Sequence, residues 1–122
     1  MAVETQTLSL TSGLRRTIDS NSDSSAENNI RSGAAVLHLA EFINSSSSQR
    51  VYFKAYNNTA PTIGTTAPDM VIPVQAGKTV SMAILNGGYS FGTGLSFATV
   101  TVGGTTGTTS PSSTHKVTLV HA

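Results

Sequence analysis

The segment VIPVQAGKTVSM, Val71–Met82, decides the fold class, because its centre supports two incompatible structures. Ala76-Gly77-Lys78-Thr79 ends like the phosphate-binding loop G-x-x-x-x-G-K-[ST], which leads from a strand into a helix. Counting back, the first required glycine falls on Ile72, with Pro73 beside it. Counting forward, Val80, Met82 and Ile84 alternate with Ser81 and Ala83, the period of two that belongs to a strand. Without a following helix there is no cluster of free N–H groups to cradle a phosphate. A tight turn accounts for every residue instead. Val74 ends one strand, Gln75-Ala76-Gly77-Lys78 form the bend with Gly77 left-handed, and Thr79 opens the next strand.

The same texture extends from Ala35 to the end of the chain, where short apolar runs are punctuated by Gly, Pro, Ser and Asn. Strands are expected at 3–10, 36–44, 50–57, 69–74, 79–85, 95–102 and 116–121. In RVYFKAYN, Val51, Phe53 and Ala55 face one way and Tyr52, Lys54 and Tyr56 the other. NSSSSQ (44–49) is expected to close a hairpin, NGG (86–88) and GTG (92–94) to supply positive φ, and GGTTGTTSPSST (103–114) to be a mobile surface loop. No segment sustains an apolar period of 3.6, so the fold expected is all-β, a single small β-sandwich of jelly-roll or immunoglobulin-like type. Residues 1–34 differ: 11–34 carry six of the thirteen charged residues and few apolar side chains. They are expected to form an extended N-terminal arm that borrows order from a partner, with 35–122 folding as the domain.

Composition narrows the function. The chain has 122 residues, enough for one core, and a net charge of +1. Charged residues are 11%, against about 25% in typical domains. Ser and Thr exceed a quarter of the chain, which suits a β-rich surface. So weak a field argues against capture of nucleic acid or an anionic membrane. No cysteine means no disulfide or thiol chemistry. MAVETQTLSL has no basic n-region and no long apolar run, so no signal peptide is expected, and the longest apolar stretch is too short for a membrane helix. With 6% aromatics and no Trp, the core should be largely aliphatic.

The remaining motifs lack their defining context. GTGLSF (92–97) starts like a dinucleotide fingerprint but reaches Phe97 with no helix. Asp19, Asn21 and Asp23 are spaced as in a calcium loop, yet Ser24 and Ile30 replace its glycine and glutamate. His115 and His121, an even number apart, are expected on one strand face but too far apart to grip one ion. No G-x-S-x-G elbow is present, and no sequence feature pairs two carboxylates. NSS (44–46) and NNT (57–59) match glycosylation acceptors but read as turns. No catalytic, cofactor or metal residue is assigned.

One block is specific. RVYFKAYNNTAPTIGTTAPDMVIPVQAGKTVSM, Arg50 to Met82, resembles a small β-sandwich domain recurrent in structural proteins of tailed-phage virions. FGTGLSFATVT and the terminal VTLVHA are similar to the same family, so the resemblance covers roughly 35–122. Pro61 and Pro68 bracket a polar loop, and Pro73 puts its strand at a sheet edge or on a bulge. The resemblance implies a non-enzymatic virion protein. A nearly free-standing domain behind an arm looks most like a capsid decoration (cement) protein on the outer shell. Its expected partners are the major capsid protein and further copies of itself, most simply as a trimer. The competing expectation is a receptor- or glycan-binding module at the tail, for which Tyr52, Tyr56 and Tyr89 would be the stacking groups. Candidate capsid or subunit contacts are Leu14, Ile18 and Ile30 for small apolar pockets and Arg15, Arg16 and Arg31 for acidic groups.

Overall fold

The computed structural model describes residues 3–7 and 13–122 and contains, among these, nine strands and no helix. They are β1 (Val3–Thr7), β2 (Arg15–Asp19), β3 (Ala35–Asn44), β4 (Val51–Asn57), β5 (Met70–Val74), β6 (Thr79–Ala83), β7 (Tyr89–Phe91), β8 (Leu95–Val100) and β9 (His115–His121). Sheet A runs β1-β2-β9-β3-β6, with β7 sharing the far side of β3; sheet B runs β5-β4-β8. All pairings are antiparallel. Leu8 and Leu10, expected in the first strand, lie outside the described residues.

Sheet B has a fourth, irregular rail. Glu27 and Phe97 exchange both backbone hydrogen bonds (2.8 and 3.1 Å), Ile30 N–H donates to Leu95, and Thr99 N–H donates to the Asp23 carbonyl. Counting this rail, the chain visits the sheets as A, B, A, B, B, A, B, A through β2, 22–30, β3, β4, β5, β6, β8 and β9. That alternation, with β2-β9-β3-β6 opposite rail-β8-β4-β5, is the jelly-roll arrangement of a β-sandwich. Its inner faces bury Leu37, Ala40 and Phe42 from β3, Val51, Phe53 and Ala55 from β4, and Leu95, Phe97, Val117 and Leu119. The core is more aromatic than the composition suggests, because all four phenylalanines are in it. Phe53 links the layers, its ring centroid 4.5 Å from Phe42 and 5.6 Å from Phe97.

The opening motif is a corner. Gly77 has φ +69, Lys78 N–H donates to the Gln75 carbonyl at 3.1 Å, and a strand follows. The bend does not fold the chain back beside itself; it carries it from β5 in sheet B to β6 in sheet A. Residues 45–50 likewise cross from β3 in sheet A to β4 in sheet B, so the expected hairpin there is corrected. Asn44 organises that crossing. Its amide donates to the Gln49 and Val74 carbonyls (2.8 and 3.1 Å), and its oxygen accepts from Ser46 N–H. Pro73 sits on β5, an edge strand of sheet B.

The arm boundary at 34 is also corrected. β2 lies inside sheet A between β1 and β9, with Thr17 and Asp19 fully buried. Thr17 Oγ1 meets Thr5 Oγ1 and His121 Nε2, each at 2.8 Å, and Asp19 accepts from Asn21 N–H. Residues 13–34 are therefore part of the sandwich. The side chains they bury fully are polar, Thr17, Asp19 and Ser22, while Ile30 packs partly buried against the core.

Candidate functional site

The surface chemistry is set by which faces the chain covers itself. On sheet B the outward residues of β4 and β8 are Tyr52, Lys54, Tyr56, Ser96, Ala98 and Val100. All but the half-buried Tyr52 are essentially inaccessible. Over Tyr52 and Lys54 the cover is the Gly- and Thr-rich segment after β8, while Ser96 donates to the Asn58 carbonyl and accepts from Asn29 N–H. Thr101 N–H donates to Thr109, Gly107 N–H to Gly104, and Lys54 Nζ to the Gly104 carbonyl. Gly103 lies against the Tyr52 ring, where a Cβ would come within 2.9 Å, and at Gly107 a Cβ would come within 2.5 Å of the Val102 carbonyl oxygen. Ser110 Oγ meets Ser24 Oγ at 2.6 Å, and Ser112 N–H donates to Gln49 Oε1 at 3.0 Å. The expected mobile loop is a strap with fixed partners. Burial pushes the Lys54 pKa below its ordinary 10.5 and that of Tyr56 above 10.0.

Among the described residues, the outer face of sheet A has no segment folded over it comparable to the strap on sheet B. Across it, Glu4, Ile18, Thr118, Glu41 and Ser81 form one cross-strand row, and Arg16, Val120, Leu39 and Ala83 the next. Leu39 is 39% exposed and Ile18 and Val120 are half-buried. Of the expected contact residues, Arg16 and Ile18 stand on this face, and Leu14 is half-buried just before β2. Arg15 is exposed opposite His121, and Arg31 donates to the Ala34 carbonyl. Ile30 packs against the core, so its part as an outward contact is corrected. Sequence reasoning grouped these residues on an arm; the fold spreads them over one face, one end and the interior.

His121 is buried near Arg15, Arg31 and His38. Burial first, then those positive charges, holds its pKa below 6.5. His115, at the other end of β9, meets Asn44 Oδ1 at 2.7 Å, and burial lowers its pKa too. Both histidines do share the inward face of β9, each with a polar partner. The fingerprint-like turn is occupied by protein, since Thr93 and Gly94 N–H donate to Asn57 Oδ1 at 2.8 and 3.4 Å. Positive φ is found at Asn86, Gly87 and Gly88, not in the GTG turn. The calcium-like loop closes on itself: Asp19 accepts from Asn21 N–H and Asp23 from Ser25 N–H.

The β5 edge was expected from Pro73; the β6 edge is the feature that sequence reasoning missed. Among the described residues no strand lies beyond β5 in sheet B or β6 in sheet A, so both sheets end on the same flank. There Met70, Ile72, Val80, Met82 and Ile84 face the core yet remain only partly buried. The available signal was the absence of charge in both MVIPV and TVSMA. No family model matches the chain, and no curated protein or solved structure is significantly similar to it.

Proposed function

We propose that this chain is a non-enzymatic structural protein of a tailed-phage virion, a decoration or cement protein that binds the outer surface of the major capsid protein shell and stabilises it. The observation supporting this reading is that Arg50–Met82, the block resembling that family, folds as one contiguous flank. It supplies β4, β5, the Gly77 corner and β6, with its turns at the positions the resemblance implies. A cement protein holds neighbouring subunits together through a rigid body with an exposed contact surface. Here the strap closes the outside of sheet B, while sheet A presents Ile18, Leu39 and Val120 beside Arg16. Leu14, Arg15, Arg16, Ile18 and Arg31 are the proposed capsid contacts, carried on the folded body, with the arginine forks suited to capsid carboxylates. The protein would assemble onto capsids in the host cytoplasm.

The tail-module reading rests on aromatic stacking of sugars, and jelly rolls do serve lectins. Its platform is poor here. Tyr56 is fully buried, and Tyr52 lies beneath the Arg50 guanidinium (5.5 Å to the ring centroid) and against Gly103. That leaves Tyr89, 40% exposed. The test is quantitative mass spectrometry of purified virions. Abundance comparable with the major capsid protein is expected. A trace component marks a tail module, and absence from virions overturns both readings.

A further inference from the structure

We infer that β6 is a self-pairing edge, through which two copies of this chain join antiparallel about a two-fold axis at Ser81. The argument starts from register. Asn44 N–H donates to the Lys78 carbonyl (3.0 Å) and Ile84 N–H to the His38 carbonyl (2.9 Å). Between them Phe42 faces Val80 and Ala40 faces Met82. Antiparallel ladders alternate bonded and non-bonded pairs, so Val80 and Met82 spend their backbone groups on β3. Thr79, Ser81 and Ala83 occupy the non-bonded pairs, and their N–H and C=O groups point off the end of sheet A. All three residues are exposed.

Edge strands are ordinarily blunted by charge, proline or a bulge. β5 carries Pro73, and β1, at the opposite end of sheet A, carries Glu4. TVSMA has no such device. A strand without charge is the kind that can meet its own copy, because a two-fold contact sets each residue against its counterpart and like charges there would repel. About Ser81, Thr79 lies opposite Ala83 of the second copy and Ser81 opposite itself, so every outward backbone group finds a partner. On the inner face Val80 lies opposite Met82 of the second copy, and the flexible thioether adapts to the join. The partly buried Met70, Ile72 and Ile84 flank the same seam and gain cover from it. The sequence-based expectation was a trimer; an antiparallel strand pairing with itself makes pairs.

The experiment is sedimentation equilibrium and native mass spectrometry of the purified full chain over a range of concentrations, with no capsid present, so its outcome is independent of the capsid reading. A dimer is expected. Ser81→Pro deletes an N–H that β3 does not use, and Ser81→Lys sets two ammonium groups opposite each other. Each should weaken dimerisation by about tenfold or more while leaving the melting temperature of the dilute protein near that of wild type. Ser47→Lys, an exposed loop change, should leave the dimer intact. If Ser81→Pro does not fold, Ser81→Lys decides. A wild type that is monomeric at every concentration overturns the inference. So does a dimer or trimer that Ser81→Lys leaves unchanged.

Discussion

The two sheets share one core, yet their outer faces are built on opposite plans. The outside of sheet B is roofed by the chain's own strap and neighbouring loops, and Lys54, Tyr56, Ala98 and Val100 form an inaccessible layer. The outside of sheet A carries no such roof among the described residues, and Leu39 on β3, which pairs with the central β9, is 39% exposed. The difference shows where this small protein obtains its stability. One sheet is effectively a second layer of core, and the other is left for contacts. It also explains how a Thr- and Gly-rich segment takes a defined course with fixed partners. Thr109 and Thr114 furnish backbone carbonyls, Ser110 and Ser112 furnish hydroxyls, and Gly103 and Gly107 allow approaches that any Cβ would block.

The largest expected effect tests whether sheet A needs its first strands. Deleting residues 1–34 removes β1, β2 and the rail beside β8, which exposes the edge of β9 and strips hydrogen bonds from Phe97 and Thr99. The truncated chain should lose cooperative unfolding by calorimetry and strand signal by circular dichroism. A truncated domain melting near wild type would restore the arm and break the comparison.

A paired substitution sharpens it. Val100→Ser on the roofed face should destabilise by about 2 kcal/mol, since it removes buried methyl groups and places a hydroxyl under the strap. Leu39→Ser on the open face should change stability by less than about 1 kcal/mol. Chemical denaturation measures both, and equal effects would show the two faces to be alike.

The smallest effect concerns Lys54. Burial lowers its folded pKa below the unfolded 10.5, so within that window the unfolded chain binds more protons than the folded one. Stability from this group is therefore fully present above 10.5 and is lost as pH falls through the folded pKa. Tyr56 acts the other way, because its folded pKa is raised and its contribution is lost as pH rises through that value, above 10.0. Below 10.0 the lysine alone of the two is expected to matter, and melting temperature should climb as pH rises from the folded lysine pKa towards 10.5. Lys54→Met should flatten that slope and match or exceed wild type at neutral pH, because a lone buried cation gives way to an apolar chain of similar length. An unchanged slope would place the lysine ammonium in solvent and the roof open above it.

The sequence by itself determined what is local. Alternation in VYFKAYN and TVSMAIL made strands, because period-two burial needs only neighbours on the chain. Gly77 marked a bend, because the left-handed conformation is a property of one residue. The lack of a following helix removed the phosphate site for the same reason. Tertiary structure decided what depends on partners distant in the chain. β2 escaped notice because its inward residues are Thr17 and Asp19, whose burial is tolerable only once Thr5, His121 and Asn21 are in place. NSSSSQ fits a hairpin or a crossing equally well; the Asn44 amide, held by Gln49 and Val74, selected the crossing. The six contact residues looked like one arm because they are close in sequence. The sandwich separated them, since a strand sends alternate side chains to opposite faces and the rail turns Ile30 inward. That β6 ends its sheet could be known only from the topology, because being an edge is a statement about which strand is missing beside it.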